Sequence, residues 1–333
     1  LENQPVSLSI RFNSFPLTAL RTKTVPFAAG RIDGDLEVRG TPDQPSVSGK
    51  ISLSAGEGLI APINTRLQNM NGQLELNGGA LVLRELTSSS PEGKLKASGR
   101  IALDGFRPDS LDIAISGRDL VLQQFKYVTS LRVNADLNLR GPVTRPLLDG
   151  NVKVTEGEIS PVLGASVPGA EETGAPGSQS IRLPVLPLDY DLRFSAQENF
   201  WLRNRNAGIK LTADLRAVQK DSLPSVNGQI TTVTGYYSVF GRRFQLKYGA
   251  IQFQGQAEIN PLLNINAERT VRGRVLRSDL VGSSWSLQST TGSSMAGEQY
   301  EMDSNTFELH IGGTLNSPRF DIIVRDVNDR EIE

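Results

Sequence analysis

The side chains able to do chemistry in this chain are few and scattered. Its one histidine, His310, stands in Phe307-Glu308-Leu309-His310-Ile311. Alternation there puts Phe307, Leu309 and Ile311 on an apolar face and His310 on the wet one, so the expectation is a solvated strand residue. With no second histidine and no cysteine, metal sites and nucleophile–base pairs are hard to build around it. Carboxylates pair by spacing at Asp104/Asp109 and Asp189/Asp191, and the latter two would share one face of a strand as a glycosidase pair does. Among 36 acidic residues such pairs arise by chance. There is no Gly-x-Ser-x-Gly elbow and no phosphate loop ending in Gly-Lys-Ser/Thr. Arg203/Arg205 and Arg242-Arg243 are small basic spots with acidic residues interleaved around them, expected at turns or on a wet face. The sequence therefore predicts no enzyme, no metal, no cofactor and no nucleic-acid partner.

Composition points the same way. The 333 residues carry a net charge of −1, which sets up no overall field for an acidic or basic partner. Hydrophobic residues make up 38%, and 32 glycines fall mostly at expected turns, as in sheets with one polar face. The absence of cysteine fits any compartment. No apolar run approaches the roughly 18–20 residues of a membrane-spanning helix. Leu1-Glu2-Asn3-Gln4 does not open a signal peptide, and alternation has begun by Leu8, Ile10 and Phe12. The expectation is a portion of a larger protein with its targeting signal upstream.

The elements are strands almost throughout. Val6 to Phe15 alternates, Thr18-Ala19-Leu20 forms a short helical turn between Pro16 and Pro26, and Ile32 to Val38 alternates again. A unit P-x-φ-x-G-x-φ, where φ is apolar, then recurs. It appears as Pro45-Val47-Gly49-Ile51-Leu53, as Pro146-Leu148-Gly150-Val152-Val154 and as Pro224-Val226-Gly228-Ile230. A variant at Pro318-Phe320-Ile322-Val324 lacks the glycine. The unequal intervals rule out a solenoid of fixed period. Each unit reads as strand, tight turn and strand, the glycine allowing a bulge or a close approach where the sheet bends. Asn77-Gly78-Gly79 marks a hairpin between Gln73–Leu76 and Leu81–Leu83. Leu120 to Phe125 reads as strand or short helix. Residues 164–180 lack large apolar side chains and predict a mobile loop, and 282–305 predict a partly structured polar insertion.

The stretch 226–269 is the most regular. Phe244, Leu246 and Tyr248 share one face against Gln245 and Lys247. Ile251 and Phe253 oppose Gln252 and Gln254, and Leu263, Ile265 and Ala267 oppose Asn264, Asn266 and Glu268, with Pro261 at a strand start. About 22–25 strands at ~4.8 Å each would extend on the order of 100 Å, and an apolar face of that size must be covered. Two sheets pack together, or one sheet curls into a trough.

The spacing of Gly235-Tyr236, Phe240-Gly241, Phe244, Leu246, Gly249, Ile251, Phe253, Gly255, Asn260-Pro261, Leu263 and Ala267 resembles the C-terminal region of TamB-type translocation and assembly module proteins of double-membraned bacteria. The resemblance is strongest over 130–325. Residues 1–130 are similar to strand repeats of the wider AsmA-like superfamily, and 131–333 to the TamB-type C-terminal part, the two forming one elongated structure. The resemblance implies an all-β fold: a long antiparallel sheet curled into a trough, apolar inside and polar outside. It implies Val152, Val154, Ile230, Phe244, Leu246, Tyr248, Ile251, Phe253, Leu263 and Ile265 as lining residues for phospholipid acyl chains. It further implies a periplasmic body with an inner-membrane anchor outside this chain, an outer-membrane barrel partner, phospholipid transport between the membranes, and support for outer-membrane biogenesis and protein secretion. An apolar helical tail expected of the family does not follow Asp329-Arg330-Glu331-Ile332-Glu333, which bears on the barrel contact. A second reading is an edge strand that templates nascent barrels or autotransporters, and a third is a structural or adhesive β-array. Aromatic girdles of a transmembrane barrel are missing.

Overall fold

The computed structural model describes residues 6–20, 28–41, 44–60, 65–90, 93–105, 107–125, 128–160, 181–182, 185–239, 242–256, 258–276, 300–325 and 330–331. The expected features at 164–180 and 282–299 lie outside the described residues. Residues 300–305, the end of the expected partly structured insertion, open the strand Tyr300–Thr314.

The first half of the sheet consists of β1 (Val6–Pro16), β2 (Ala28–Thr41), β3 (Gln44–Ile60), β4 (Thr65–Asn77), β5 (Ala80–Ser90), β6 (Gly93–Asp104), β7 (Arg107–Phe125), β8 (Val128–Pro142) and β9 (Leu147–Ile159). The second half comprises β11 (Asp189–Arg203), β12 (Ala207–Lys220), β13 (Leu223–Val239), β14 (Arg242–Gln254), β16 (Leu262–Leu276), β17 (Tyr300–Thr314) and β18 (Ser317–Arg325). Two short strands, β10 (Ile181–Arg182) and β15 (Glu258–Ile259), pair with each other. A 3-10 turn at Leu17–Leu20 matches the short helical turn read from the sequence.

All sixteen long strands form one sheet in chain order. At ~4.8 Å per strand its outer strands stand roughly 70 Å apart. Strands are fewer and longer than expected, up to 19 residues in β7. Glycines and irregularities that read as strand ends are bulges inside continuous strands. Leu120–Phe125 is accordingly the end of β7 and not a helix. The Asn77-Gly78-Gly79 hairpin forms as read, Gly78 taking a φ of 68°. One neighbour pair departs from the antiparallel expectation, since β9 and β11 run parallel. Parallel neighbours need a long crossover, and residues 160–188 provide it.

Sequence explains why the sheet bends. Register shifts interrupt nearly every ladder, among them Phe12/Phe15, Leu53/Gly56, Gly117/Leu120, Ala196/Asn199 and Leu246/Tyr248. A bulge turns its strand and raises its twist, so a row of them across neighbouring strands curls the sheet. Three share a device. Ser14, Ala55 and Asp119 take positive φ, and each donates its backbone N–H to an Asx side chain one strand on: Asp33 at 2.8 Å, Asn71 at 3.4 Å and Asn134 at 2.8 Å. The acceptors occupy a common pattern, Ile32-Asp33-Gly34, Met70-Asn71-Gly72 and Val133-Asn134-Ala135.

The recurrent glycine unit has one geometry. Gly49, Gly150 and Gly228 have φ of +146°, +143° and +119° and pair with Leu36, Leu137 and Leu215. At each, a Cβ would collide with the carbonyl oxygen of the aspartate preceding that leucine: Asp35, Asp136 or Asp214. Gly99 meets Asp112 and Ile113 in the same way. The close approach expected from the sequence is thus a contact between backbones that only glycine permits.

Among the described residues the long strands belong to one sheet and not to two. Backbone contacts run almost entirely between neighbouring strands. The accessible surface of 22319 Å² compares with roughly 13,400 Å² for a compact globule of this mass. Yet one face is deeply buried: Val133 is 4% exposed, Leu211 3%, Ala267 3% and Leu309 4%. A flat single layer would leave these side chains in water. Their burial requires strands on either side to close over them, which is a curled sheet.

Candidate functional site

The buried face forms a continuous apolar groove from β8 to β17. Its centre holds Val133, Val154, Ala196, Phe200, Leu202, Ile209, Leu211, Phe244, Leu246, Ala267 and Leu309. Around it pack Leu120, Leu131, Val152, Ile230, Ile265, Phe307, Ile311 and Phe320. Cross-strand pairs set this alignment: Val133 opposes Val154, which opposes Ala196, which opposes Ala213, which opposes Ile230, which opposes Ile251, which opposes Leu263. At the sheet's two edges the same face opens to solvent, with Leu8 51% and Ile322 63% exposed.

Nine of the ten candidate lining residues stand on this face. Val154, Phe244 and Leu246 are buried, while Val152, Ile230, Ile251, Phe253, Leu263 and Ile265 are half-buried. Tyr248 is the correction. It is 48% exposed and opposes Asn266, because the ladder shifts between Leu246 and Tyr248. Lys247 is the extra residue, so parity reverses after Leu246 and Gly249 takes the inward place opposite Ile265. A bulge moves every later side chain to the other face, and strict alternation cannot foresee it.

Residues not singled out in the sequence carry much of the groove, notably Phe200, Leu202, Ile209 and Leu211 on the β11–β12 hairpin. Their alternation was readable, but their depth comes from strands closing over them. Tyr237, half-buried on this face, has its phenol pKa raised by burial. The lining is not wholly apolar. Arg269 stands inward opposite Phe307, and its Nη1 is buried without a hydrogen-bond partner, as is Oδ1 of Asn305.

Gln219 marks where the crossover returns. It is 1% exposed, on the inner face at the end of β12. Its Nε2 donates to the carbonyls of Leu186 at 2.8 Å and Leu188 at 2.6 Å, and its Oε1 accepts from the Leu186 N–H at 3.1 Å. Both ends of one amide therefore fasten residues 186–188 over the inner face. The neighbouring Tyr190 is buried too, and burial raises its pKa.

The outer face is polar and laced with exposed ion pairs, including Arg11–Asp35, Arg84–Glu75, Arg118–Asp136 and Arg140–Asp149. His310 belongs to it, with Nε2 3.3 Å from Asn264 Oδ1 and Nδ1 3.9 Å from Asp321 Oδ2. Asp189 and Asp191 do not act as a pair, since each is held by its own arginine. Asp189 lies 2.8 Å from Arg145, and Asp191 takes a two-pronged hydrogen bond from Arg216. The Arg216 guanidinium holds the Asp191 carboxyl below its usual pKa. Among the described residues no three His, Cys, Asp or Glu side chains gather into a metal-sized cluster, and no helix is long and apolar enough to cross a membrane.

A curled single sheet, greasy within and ion-paired without, is the setting in which similarity to known proteins is decisive. The TamB C-terminal domain family matches residues 1–89 and 84–325, nearly the whole chain. The chain belongs to the TamB C-terminal domain family. Among curated proteins, this TamB-family chain is similar to Protein TIC236, chloroplastic, of Arabidopsis thaliana, at 27% identity over 143 residues. It is also similar to Protein SUBSTANDARD STARCH GRAIN 4, chloroplastic, of Oryza sativa subsp. japonica, at 25% identity over 124 residues. These alignments cover 42% and 37% of this chain but only 7% and 6% of the relatives, so the chain spans a small fraction of the curated proteins it matches.

Proposed function

We propose that this TamB-family chain is a length of a hydrophobic trough that carries phospholipid between the inner and outer membranes of a double-membraned bacterium. In this reading it stands in the periplasm, anchored to the inner membrane by a segment outside this chain and meeting an outer-membrane barrel partner. It works without catalysis. The observation that carries the reading is the continuous inner face from β8 to β17, apolar but for a few polar side chains such as Gln219, Arg269 and Asn305, and exposed where the same face reaches the sheet's edge strands. Each acyl methylene moved from water onto such a face gains about 0.8 kcal/mol. Rows of Val, Leu, Ile and Phe on successive strands give that gain at every step, so a chain slides without a deep trap, and its headgroup rides in water at the rim.

A photo-crosslinking residue at Ile251, Phe253 or Leu263 is expected to capture lipid when the protein is isolated from membranes. The same residue at Gln252, Gln254 or Asn264, on the wet face of the same strands, is expected to capture none. Equal labelling of the two sets sinks the one-sided trough.

The second reading, templating of nascent barrel strands, has its own observation. β18 is an edge of the sheet, nine residues long, whose outer side carries, among the described residues, one isolated bridge from Arg325 to Glu331, and Ile322 on it is exposed. Crosslinks from β18 to barrel precursors, with none to lipid from the groove, would favour it.

A further inference from the structure

Two basic spots, forty residues apart in sequence, meet at one rim of the trough. The β11–β12 turn carries Arg203 and Arg205, and β14 begins with Arg242 and Arg243. The Ser238 N–H at the end of β13 donates to the Asn206 carbonyl at 2.7 Å and holds the two turns together. Beside them, on the outer face, lies a pocket of about 460 Å³ lined by Trp201, Arg203, Gly208, Thr234, Tyr236 and Gln245. Its floor is Gly208, where even a Cβ would come 2.8 Å from the Tyr236 ring. Two of its walls are aromatic: Arg203, itself part of the lining, stacks on Trp201, and Arg243, just outside the lining, stacks on Tyr236. Arg203 stands 4.7 Å over the Trp201 ring and Arg243 3.9 Å over the Tyr236 ring.

Stacking uses the flat face of a guanidinium and leaves its N–H edge to bind an anion. Arg203 shares its edge with Glu158 at 3.3 Å. Among the described residues, Arg205, Lys210, Arg242 and Arg243 enter no ion pair. The rim therefore gathers positive charge in a chain whose net charge is −1. Guanidinium edges arriving from two sides suit a phosphate, whose oxygens point in several directions.

We propose that this pocket binds a phosphate group, and that the phosphate is the headgroup of an anionic glycerophospholipid held at the trough rim. The phosphate site stands on the outer face and is independent of the groove, while its assignment to a headgroup rests on the lipid reading above.

The test compares flotation of the chain with phosphatidylglycerol and phosphatidylcholine vesicles. The expected result is preference for phosphatidylglycerol, weakened about tenfold in Arg203→Gln/Arg243→Gln and unchanged in Arg100→Gln/Arg107→Gln, an equal loss of charge elsewhere on the outer face. Both pairs are exposed, so folding survives. In a Trp285→Phe background, glycerol phosphate should also shift Trp201 emission, and the arginine double variant should abolish the shift. Equal weakening by the two double variants overturns the site and leaves only diffuse surface charge. An emission shift with inorganic phosphate but no vesicle preference keeps the phosphate site, assigns it to a soluble source and overturns the headgroup. Binding that depends on Arg203 and Arg243 but is displaced by acidic peptide and not by glycerol phosphate overturns phosphate as the ligand. Lipid capture at Phe253 is read separately, so the groove can stand while the pocket falls, or the reverse.

Discussion

At the scale of single residues, the polar exceptions to the alternation are the informative positions. Gln219 is deeply buried because it completes backbone hydrogen bonds that the crossover leaves open. Gln219→Leu keeps the volume and strands two carbonyls and one N–H, so it should cost about 2–3 kcal/mol, read as a lower urea midpoint. An unchanged midpoint would show that residues 186–188 are held by other contacts. The Asp191–Arg216 pair predicts a pH dependence. Arg216 lowers the Asp191 pKa below its unfolded value of about 3.9. A depressed carboxylate pKa gives stability that is present above the unfolded value and lost as pH falls through the folded one. Wild type should therefore be the more stable of the pair with Arg216→Gln at pH 7, by a small, salt-screened margin because both side chains are partly exposed. The margin should close as pH falls below about 4. A margin that persists at pH 2 would mean Arg216 acts through packing and not through charge.

At the scale of elements, the strand is bent by glycines and bulges that sequence marks only obliquely. Gly150 combines a φ of +143° with a backbone contact that admits no Cβ. Gly150→Val should destabilise by about 1–3 kcal/mol from the backbone conformation alone, with the collision at Asp136 added. Asn151→Val, one residue along on the exposed face, should change little. Thermal unfolding of the two variants separates a requirement for glycine from a general intolerance of β9. The three P-x-φ-x-G-x-φ copies were legible because proline, glycine and alternation coincide in each. Gly99 escaped because it has the same geometry without the proline, and its aspartate partner comes after it in the chain. The Asx acceptors of the bulges escaped because Asp33, Asn71 and Asn134 read as ordinary wet-face residues until a neighbouring strand brings an N–H to them.

At the scale of the whole molecule, the trough makes a demand that a merely stable sheet does not. Val152 lies half-buried on the inner face of β9, and Lys153 points outward. If the trough conducts lipid as proposed, Val152→Arg sets a guanidinium in the path of the acyl chains, and desolvating it costs several kcal/mol unless it bends to the rim. Even ~3 kcal/mol added to the barrier slows passage about a hundredfold. The expected outcome is a folded sheet by circular dichroism and defective transfer of labelled phospholipid between vesicles, measured in the full-length protein. Lys153→Arg should transfer normally. Transfer at the wild-type rate by folded Val152→Arg would end the continuous-conduit reading and leave edge-strand templating as the better account.

The sequence by itself determined the all-β class, the amphipathic faces and part of the lining, because a period of two assigns Val152, Ile230, Phe253 and Leu263 to a face wherever the ladder is regular. It also read His310 as a wet-face strand residue, where the structure has it beside Asn264 and Asp321. Tertiary structure decided what periodicity cannot encode. Parity reversed at Lys247 and turned Tyr248 outward, because an extra residue in one strand is defined only against its partner. β9 and β11 became parallel neighbours, because pairing across a long crossover leaves no local trace. Arg203 and Arg243 came to one rim, since hydrogen bonds between strands fix which turns lie side by side. The depth of the groove is likewise a property of curvature, which arises from many small bulges acting together.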